Sequence, residues 1–258
     1  MKASTQAEGR KAWEAYGNFL DQALSHGQHG QRDIWGNAHA TFAEYGVAMG
    51  QLPADQVASL VAALQRCSIE PIGQAASHPQ FDETVLPQDV IDNLNTGTDF
   101  YGLSAEALWH VADMLDYLRD QFAAFFGSPW RVLGARGYKL TANSVSAGPN
   151  EWHLDGLPLC LCKVMLFLTP LDVQRGTIQI RLANGQEMTL EQPAPTWLLF
   201  RPSELSHRGI PPLSESAERF TVEATLVSSV AFDQMPVFAG NNARHPYYPW
   251  YRAGFNGG

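Results

Sequence analysis

Basic residues are scarce in this chain: 17 Lys and Arg stand against 26 Asp and Glu, a formal charge of -9. An acidic surface repels phosphate backbones and anionic lipid, so neither nucleic acid nor a membrane surface is expected as a partner. Cysteine is scarcer still. Cys67, Cys160 and Cys162 are an odd count, which argues against a disulfide framework. Cys160 and Cys162 alternate along one probable strand without a second Cys or His pair at metal spacing, so they read as small buried apolar residues rather than a zinc site. No apolar run is long enough to span a bilayer; the longest, Leu159 to Leu171, is broken by Lys163. The segment MKASTQAEGRKAWEAYG lacks the apolar stretch of a secretory signal, and a cytoplasmic protein is expected. Internal repeats, low-complexity tracts and βαβ alternation are missing too, which disfavours solenoids and doubly wound sheets.

What remains suits a globular chain: 258 residues, 45% hydrophobic and 17% charged, expected to form a single domain over 1–258. Residues 1–129 read as mostly helical. Thr5-x-x-Glu8 can form a capping box ahead of Ala12, Trp13, Tyr16, Phe19, Leu20, Ala23 and Leu24 at helical spacing. Pro53 and Asp55 open a second helix, Leu86 to Leu94 is a third candidate, and Ser104 caps a fourth whose stripe runs from Leu108 to Phe125 and stops at Gly127 and Pro129. Over 130–230 the pattern changes to short runs rich in branched and aromatic residues, separated by Gly, Pro and Asn. The expected strands are Trp130–Leu133, Tyr138–Val145, Leu159–Thr169, Thr177–Leu182, Gln186–Leu190, Thr196–Phe200 and Phe220–Val230, with a type I′ turn at Asn184-Gly185. Short strands of this kind favour an α+β fold with a jelly-roll or barrel core flanked by N-terminal helices. An aromatic-rich arm, 231–258, follows as a flap or packing arm.

Two of the eight histidines stand in settings that suggest ligation. In Trp152-His153-Leu154-Asp155-Gly156 the His and Asp are two apart, so an extended backbone projects both to one face. His207 can supply a third ligand if a later strand returns it to the same barrel. Two imidazoles and one carboxylate leave three neighbouring positions of an octahedron free, the arrangement expected of non-haem Fe(II) oxygenases, where a chelating 2-oxo acid takes two and dioxygen one. Arg219 begins the run Arg219-Phe220-Thr221-Val222-Glu223-Ala224. Its guanidinium could bind the far carboxylate of 2-oxoglutarate, with Thr221 on the same strand face adding a hydroxyl. The competing reading pairs Arg219 with Glu218 or Glu223 at the surface.

These residues resemble a family, the Fe(II)/2-oxoglutarate-dependent oxygenases of the double-stranded β-helix (jelly-roll, cupin-like) fold. The resemblance covers about 138–227 and rests on His153-x-Asp155, the stretch Thr196 to Pro202 leading to His207, and Arg219-x-Thr221. Trp152 to Gly156 and Leu168 to Thr177 are most similar to its phytanoyl-CoA-dioxygenase-type branch. The resemblance implies iron, 2-oxoglutarate and dioxygen as cofactors, release of succinate and carbon dioxide, and oxidation of a C–H bond in a small molecule. Because Asp155 stands where family halogenases carry a small residue, hydroxylation is favoured, with desaturation or cyclisation as variants.

Tyr138, Lys139 and Asn143 precede the HxD segment, and strand parity lets only one set point inward; Tyr138 is the choice for contact with co-substrate. Thr177 is a further candidate contact to the 2-oxo acid. His26, His29, His39, His78 and His110 lack ligand spacing and read as surface or packing residues, while His245 could reach substrate from the arm. Two alternatives stay open: a cupin-like dioxygenase or isomerase that uses the triad without 2-oxoglutarate, and a barrel-type binding protein without metal. The substrate and the oligomeric state are not legible.

Overall fold

A computed structural model describes residues 45–70, 97–126, 130–142, 150–155 and 161–228. In chain order the elements are β1 (Val47–Gln51), α1 (Ala54–Leu64), β2 (Ser68–Glu70), β3 (Thr98–Gly102), α2 (Ala105–Tyr117), α3 (Arg119–Phe126), β4 (Trp130–Leu140), β5 (Cys162–Phe167), β6 (Thr177–Arg181), β7 (Glu187–Thr189), β8 (Thr196–Phe200), β9 (His207–Ile210) and β10 (Arg219–Ser228). The strands form a seven-stranded sheet ordered β1-β8-β5-β10-β4-β3-β2 and a three-stranded sheet ordered β7-β6-β9. All paired strands run antiparallel. Two antiparallel sheets facing each other make the expected jelly roll, the double-stranded β-helix.

Alternation along the central strands sorts the side chains into two cores. Cys162, Val164 and Leu166 of β5, Trp197 and Leu199 of β8, and Phe220, Val222, Ala224 and Leu226 of β10 pack against the helices, where they meet Leu60, Leu64, Val111, Leu115 and Phe122. The opposite parity, Met165, Phe167, Leu198, Phe200 and Tyr138, meets Ile178, Ile180 and Leu205 in a second core associated with the smaller sheet. This second core surrounds the candidate site. The helix that Ser104 caps is realised: the Ser104 hydroxyl accepts from the Ala107 N–H at 3.2 Å. Its stripe is divided between α2 and α3 by a tightened turn at Leu118, whose N–H reaches back to the Leu115 carbonyl at 3.1 Å. Phe122 then meets the edges of Trp130 and Trp197.

Several sequence expectations change. Strands β1, β2 and β3 lie in the region read as mostly helical and extend the larger sheet at both edges. The two strands expected at Trp130–Leu133 and from Tyr138 onward are one, β4, continuous through Gly134 and Gly137 with a register shift opposite Thr225 and Leu226. Gly137 is not a breaker but a point of close approach, since a Cβ there would meet Leu103 and Leu64 at 3.0 Å. The Asn184-Gly185 turn is not type I′, because only Gly185 has positive φ (84°). Gly185 N–H bonds to the Leu182 carbonyl at 2.9 Å and Leu182 N–H to the Gln186 carbonyl at 2.8 Å, a type I turn closed by a left-handed glycine. The helices expected near residues 5–24 and 86–94, Cys160, Asn143, His245 and the aromatic arm lie outside the described residues. Among the described residues, no helix is long and apolar enough to cross a membrane.

Candidate metal centre

The chain leading to the site is stitched to the smaller sheet by its backbone. His153 and His207 exchange both N–H to carbonyl bonds at 3.0 Å, which adds the His153 segment beside β9 and places the two imidazoles together. Their ring centroids are 4.3 Å apart. Two residues on, the Asp155 N–H donates to the Pro202 carbonyl at 2.9 Å, so its carboxylate returns to the same face. Trp152 points the other way and is stacked by the guanidinium groups of Arg181 at 4.2 Å and Arg208 at 4.8 Å. Ligand atoms of His153, Asp155 and His207 all lie within 4.8 Å of one another. These are the three residues that sequence spacing selects.

Hydrogen bonding orients this cluster as a candidate cation site. His153 Nδ1 donates to the Glu151 carbonyl at 2.8 Å and His207 Nδ1 donates to the Leu205 carbonyl at 3.0 Å. Since a carbonyl only accepts, the neutral form of each ring carries its proton on Nδ1 and presents a bare Nε2 lone pair. Those two Nε2 atoms face Asp155 Oδ1 at 3.5 and 3.8 Å, too long for hydrogen bonds. Burial, reinforced by the charge of Lys163 and only partly opposed by Asp155, holds His207 down at about 4, so it is neutral at pH 7. Burial works against ionisation of Asp155, but Lys163, His207 and His153 outweigh it and hold its carboxyl below the usual range. Three acceptors converge with no donor between them. Two nitrogens and one oxygen of this kind fit a divalent first-row transition metal such as Fe(II).

Arg219 enters the interior, as one sequence reading required. It is 3% exposed, and its Nη1 donates to the Thr177 carbonyl at 2.5 Å and the Ile210 carbonyl at 3.1 Å. It pairs with neither carboxylate considered: Glu218 holds Lys139 at 3.0 Å, and Glu223 holds Arg136 at 2.7 Å. Among the described residues Arg219 has no carboxylate partner, and its Nε is buried without a hydrogen bond. Thr221 lies on the same strand face, opposite Tyr138 across β4, and its buried hydroxyl also lacks a well-formed hydrogen bond. Tyr138 points inward with its phenol pushed up by burial, while Lys139 points outward to Asp99 and Glu218. Thr177 is deployed differently from the expectation. Its hydroxyl donates to the Leu190 carbonyl, and its own carbonyl is what holds Arg219.

Three charged residues of the interior escaped the sequence reading. Lys163 Nζ lies 2.5 Å from Asp155 Oδ2 and 3.9 Å from Glu223 Oε1, and Glu223 Oε1 lies 2.7 Å from Arg136 Nε. Lys163 and Glu223 are each 8% exposed. The signal was there in parity: Lys163 shares a strand face with Met165 and Phe167, and Glu223 with Arg219 and Thr221.

The comparisons with family models and with curated proteins return no match. Solved structures do match in fold. One is the non-heme alpha ketoglutarate dependent epimerase SnoN from nogalamycin biosynthesis, at TM-score 0.55 and 12% identity over 74% of this chain and 82% of that one. Another is HygX from Streptomyces hygroscopicus with nickel and 2-oxoglutarate bound, at TM-score 0.52 and 15% identity over 75% and 87%. The non-heme alpha ketoglutarate dependent carbocyclase SnoK from nogalamycin biosynthesis matches at TM-score 0.52 and 14% identity over 77% and 86%. The fold of this chain is therefore that of the 2-oxoglutarate-dependent oxygenases.

Proposed function

We propose that this chain is a mononuclear non-haem Fe(II)- and 2-oxoglutarate-dependent dioxygenase that oxidises a C–H bond of a small molecule. The observation that carries the reading is Arg219, a buried guanidinium with no anionic partner among the described residues, in the same barrel as the His153, Asp155 and His207 cluster. Burying an unpaired cation costs several kcal/mol unless an anion joins it. A 2-oxo acid with a second carboxylate meets both demands. The cupin-like alternative leaves Arg219 without an anion, its charge met only by the Thr177 and Ile210 carbonyls.

In this reading His153 and His207 hold iron through Nε2 and Asp155 through its carboxylate. Arg219 holds the far carboxylate of 2-oxoglutarate, with the Thr221 hydroxyl and the Tyr138 phenol beside it. Met165, Phe167, Leu198 and Phe200 keep water from that region of the barrel, and the Phe200 ring, 4.9 Å from His207, limits rotation of the imidazole. When bound, iron would bring dioxygen and 2-oxoglutarate together, dioxygen being the four-electron oxidant: two electrons come from 2-oxoglutarate as it becomes succinate and carbon dioxide and two from the substrate C–H bond. The protein's task is positioning. SnoN has been captured with Fe3+, alpha ketoglutarate and nogalamycin RO, which supports a natural-product-like substrate here. Hydroxylation is the favoured outcome, with desaturation or cyclisation as variants of the same oxidation.

The test is succinate formation by the full chain with Fe(II), 2-oxoglutarate and a panel of metabolites. Turnover is expected from the wild type and not from His207→Ala. Succinate formed equally by His207→Ala contradicts the assignment.

A further inference from the structure

The metal cluster accounts for one Asp155 oxygen and leaves the other to be explained. Oδ1 faces both imidazole Nε2 atoms, whereas Oδ2 lies 2.5 Å from Lys163 Nζ. Lys163 belongs to the larger sheet and Asp155 follows the segment bonded to the smaller one, so this contact spans the two sheets. The ammonium is itself braced. Glu223 Oε1 lies 3.9 Å from it, and Glu223 is anchored by Arg136 on β4. Burying a lysine costs several kcal/mol unless its charge is matched, and here two carboxylates match it. An apolar side chain at this position would fill the same space without that cost. The arrangement therefore points to a task for the ammonium.

We propose that Lys163 is a positioning residue that occupies Asp155 Oδ2, restricts Asp155 to one-oxygen ligation and so keeps a coordination position open for dioxygen. The inference rests on the iron and 2-oxoglutarate reading above. Three single-atom protein ligands leave three positions on an octahedral ion, two for the 2-oxo acid and one for dioxygen. Were Asp155 to chelate through both oxygens, the 2-oxo acid would fill the remainder and dioxygen would be shut out. Lys163 also repels a divalent cation, so its removal frees Oδ2 without weakening the metal's hold. A filler of space and a positioning residue thus predict different patterns of loss.

Nitric oxide, which occupies a vacant iron position and gives an EPR signal, reads this pattern under anaerobic conditions. At matched iron content with 2-oxoglutarate, the wild type should give the full signal and Lys163→Met a signal lower by at least about fivefold, with Lys163→Arg restoring at least about half. Calorimetric titration with Ni(II) should show Lys163→Met binding metal within about threefold of the wild type, or more tightly. A wild-type signal from Lys163→Met overturns the proposal, as does a joint fall of metal affinity and signal, which marks a merely structural lysine. A crystal structure of the Ni(II)-loaded wild type decides the matter even if Lys163→Met does not fold: both Asp155 oxygens on the ion would refute it, one oxygen with Nζ still on Oδ2 would support it. If the wild-type signal does not respond to 2-oxoglutarate, it is the co-substrate reading that has failed.

Discussion

Replacing Arg219 with Met removes a buried cation while keeping much of its bulk, and the consequences for the free and the loaded protein differ in sign and size. In the free protein two charge-assisted hydrogen bonds, to the Thr177 and Ile210 carbonyls, disappear. Each is worth about 1.5 to 3 kcal/mol. Against this stands relief from burying a guanidinium with no anion, a burden of several kcal/mol that already pulls its pKa down through desolvation. The two effects are similar, so metal-loaded Arg219→Met should unfold within about 2 kcal/mol of the wild type. Loading with 2-oxoglutarate breaks the balance. At a concentration of about 100 times Kd the wild type gains about 2.7 kcal/mol, a rise in Tm of about 5 to 10 °C for a chain of this size. Loss of a buried carboxylate partner costs about 2 to 5 kcal/mol of affinity, which cuts that rise at the same concentration to about a third or less. Thermal unfolding of Ni(II)-loaded wild type and Arg219→Met, each with and without 2-oxoglutarate, measures all four quantities. A full ligand-dependent rise in the variant would refute the assignment of Arg219 to the far carboxylate.

Other substitutions probe the rest of the site. Between its unfolded pKa near 6.5 and its folded value of about 4, His207 binds a proton more readily in the unfolded chain. Metal-free protein should therefore lose up to about 3 kcal/mol as pH falls through that window, and denaturant titrations of His207→Gln should show a flatter dependence. Asp155→Ala should lower Ni(II) affinity by at least about tenfold in calorimetry; unchanged affinity would exclude Asp155 as a ligand. Gly176 has φ of 87°, and a Cβ there would meet Pro212 N at 2.8 Å and the Ile210 carbonyl oxygen at 2.9 Å. Gly176→Ala should cost more than about 1 kcal/mol and, by shifting the neighbouring Thr177 carbonyl, weaken 2-oxoglutarate binding; an unchanged Tm and affinity would refute both points.

The candidate ligands were legible because strand geometry needs only local spacing: His153 and Asp155 two apart declare a common face without knowledge of a neighbour. Arg219 and Thr221 follow the same rule, and both turn inward. Lys163, Glu223 and Arg136 obey it too, yet their chemistry depends on which strands lie side by side. The β5, β10 and β4 strands are neighbours in the sheet, with Thr225 opposite Lys163 and Arg136 opposite Glu223, a register that no local pattern encodes. A lone lysine in an apolar run consequently read as an interruption. Strands β1 to β3 were hidden for a related reason. Val47–Gln51 carries no branched or aromatic run, and it is strand because five residues of β8 supply its hydrogen-bonding partners.

Charge favours the proposed dianionic co-substrate in the barrel interior even though the whole chain is acidic. Around the metal cluster the cations Lys163 and Arg136 are matched by Asp155 and Glu223, so that end is neutral before an ion arrives. Arg219 is the remainder, one positive charge among apolar side chains and two carbonyls. A divalent metal raises the excess to three. Arg219, Lys163 and Glu223 are buried, so the excess acts through a low dielectric and exceeds the screened influence of distant surface carboxylates. A ligand with one carboxylate could satisfy either the metal or Arg219. Two carboxylates joined by a short chain satisfy both and leave the least uncompensated charge, so monocarboxylic 2-oxo acids such as pyruvate should compete weakly with 2-oxoglutarate. In Arg219→Met that discrimination should shrink, because the far carboxylate would then lie among buried side chains without a cation.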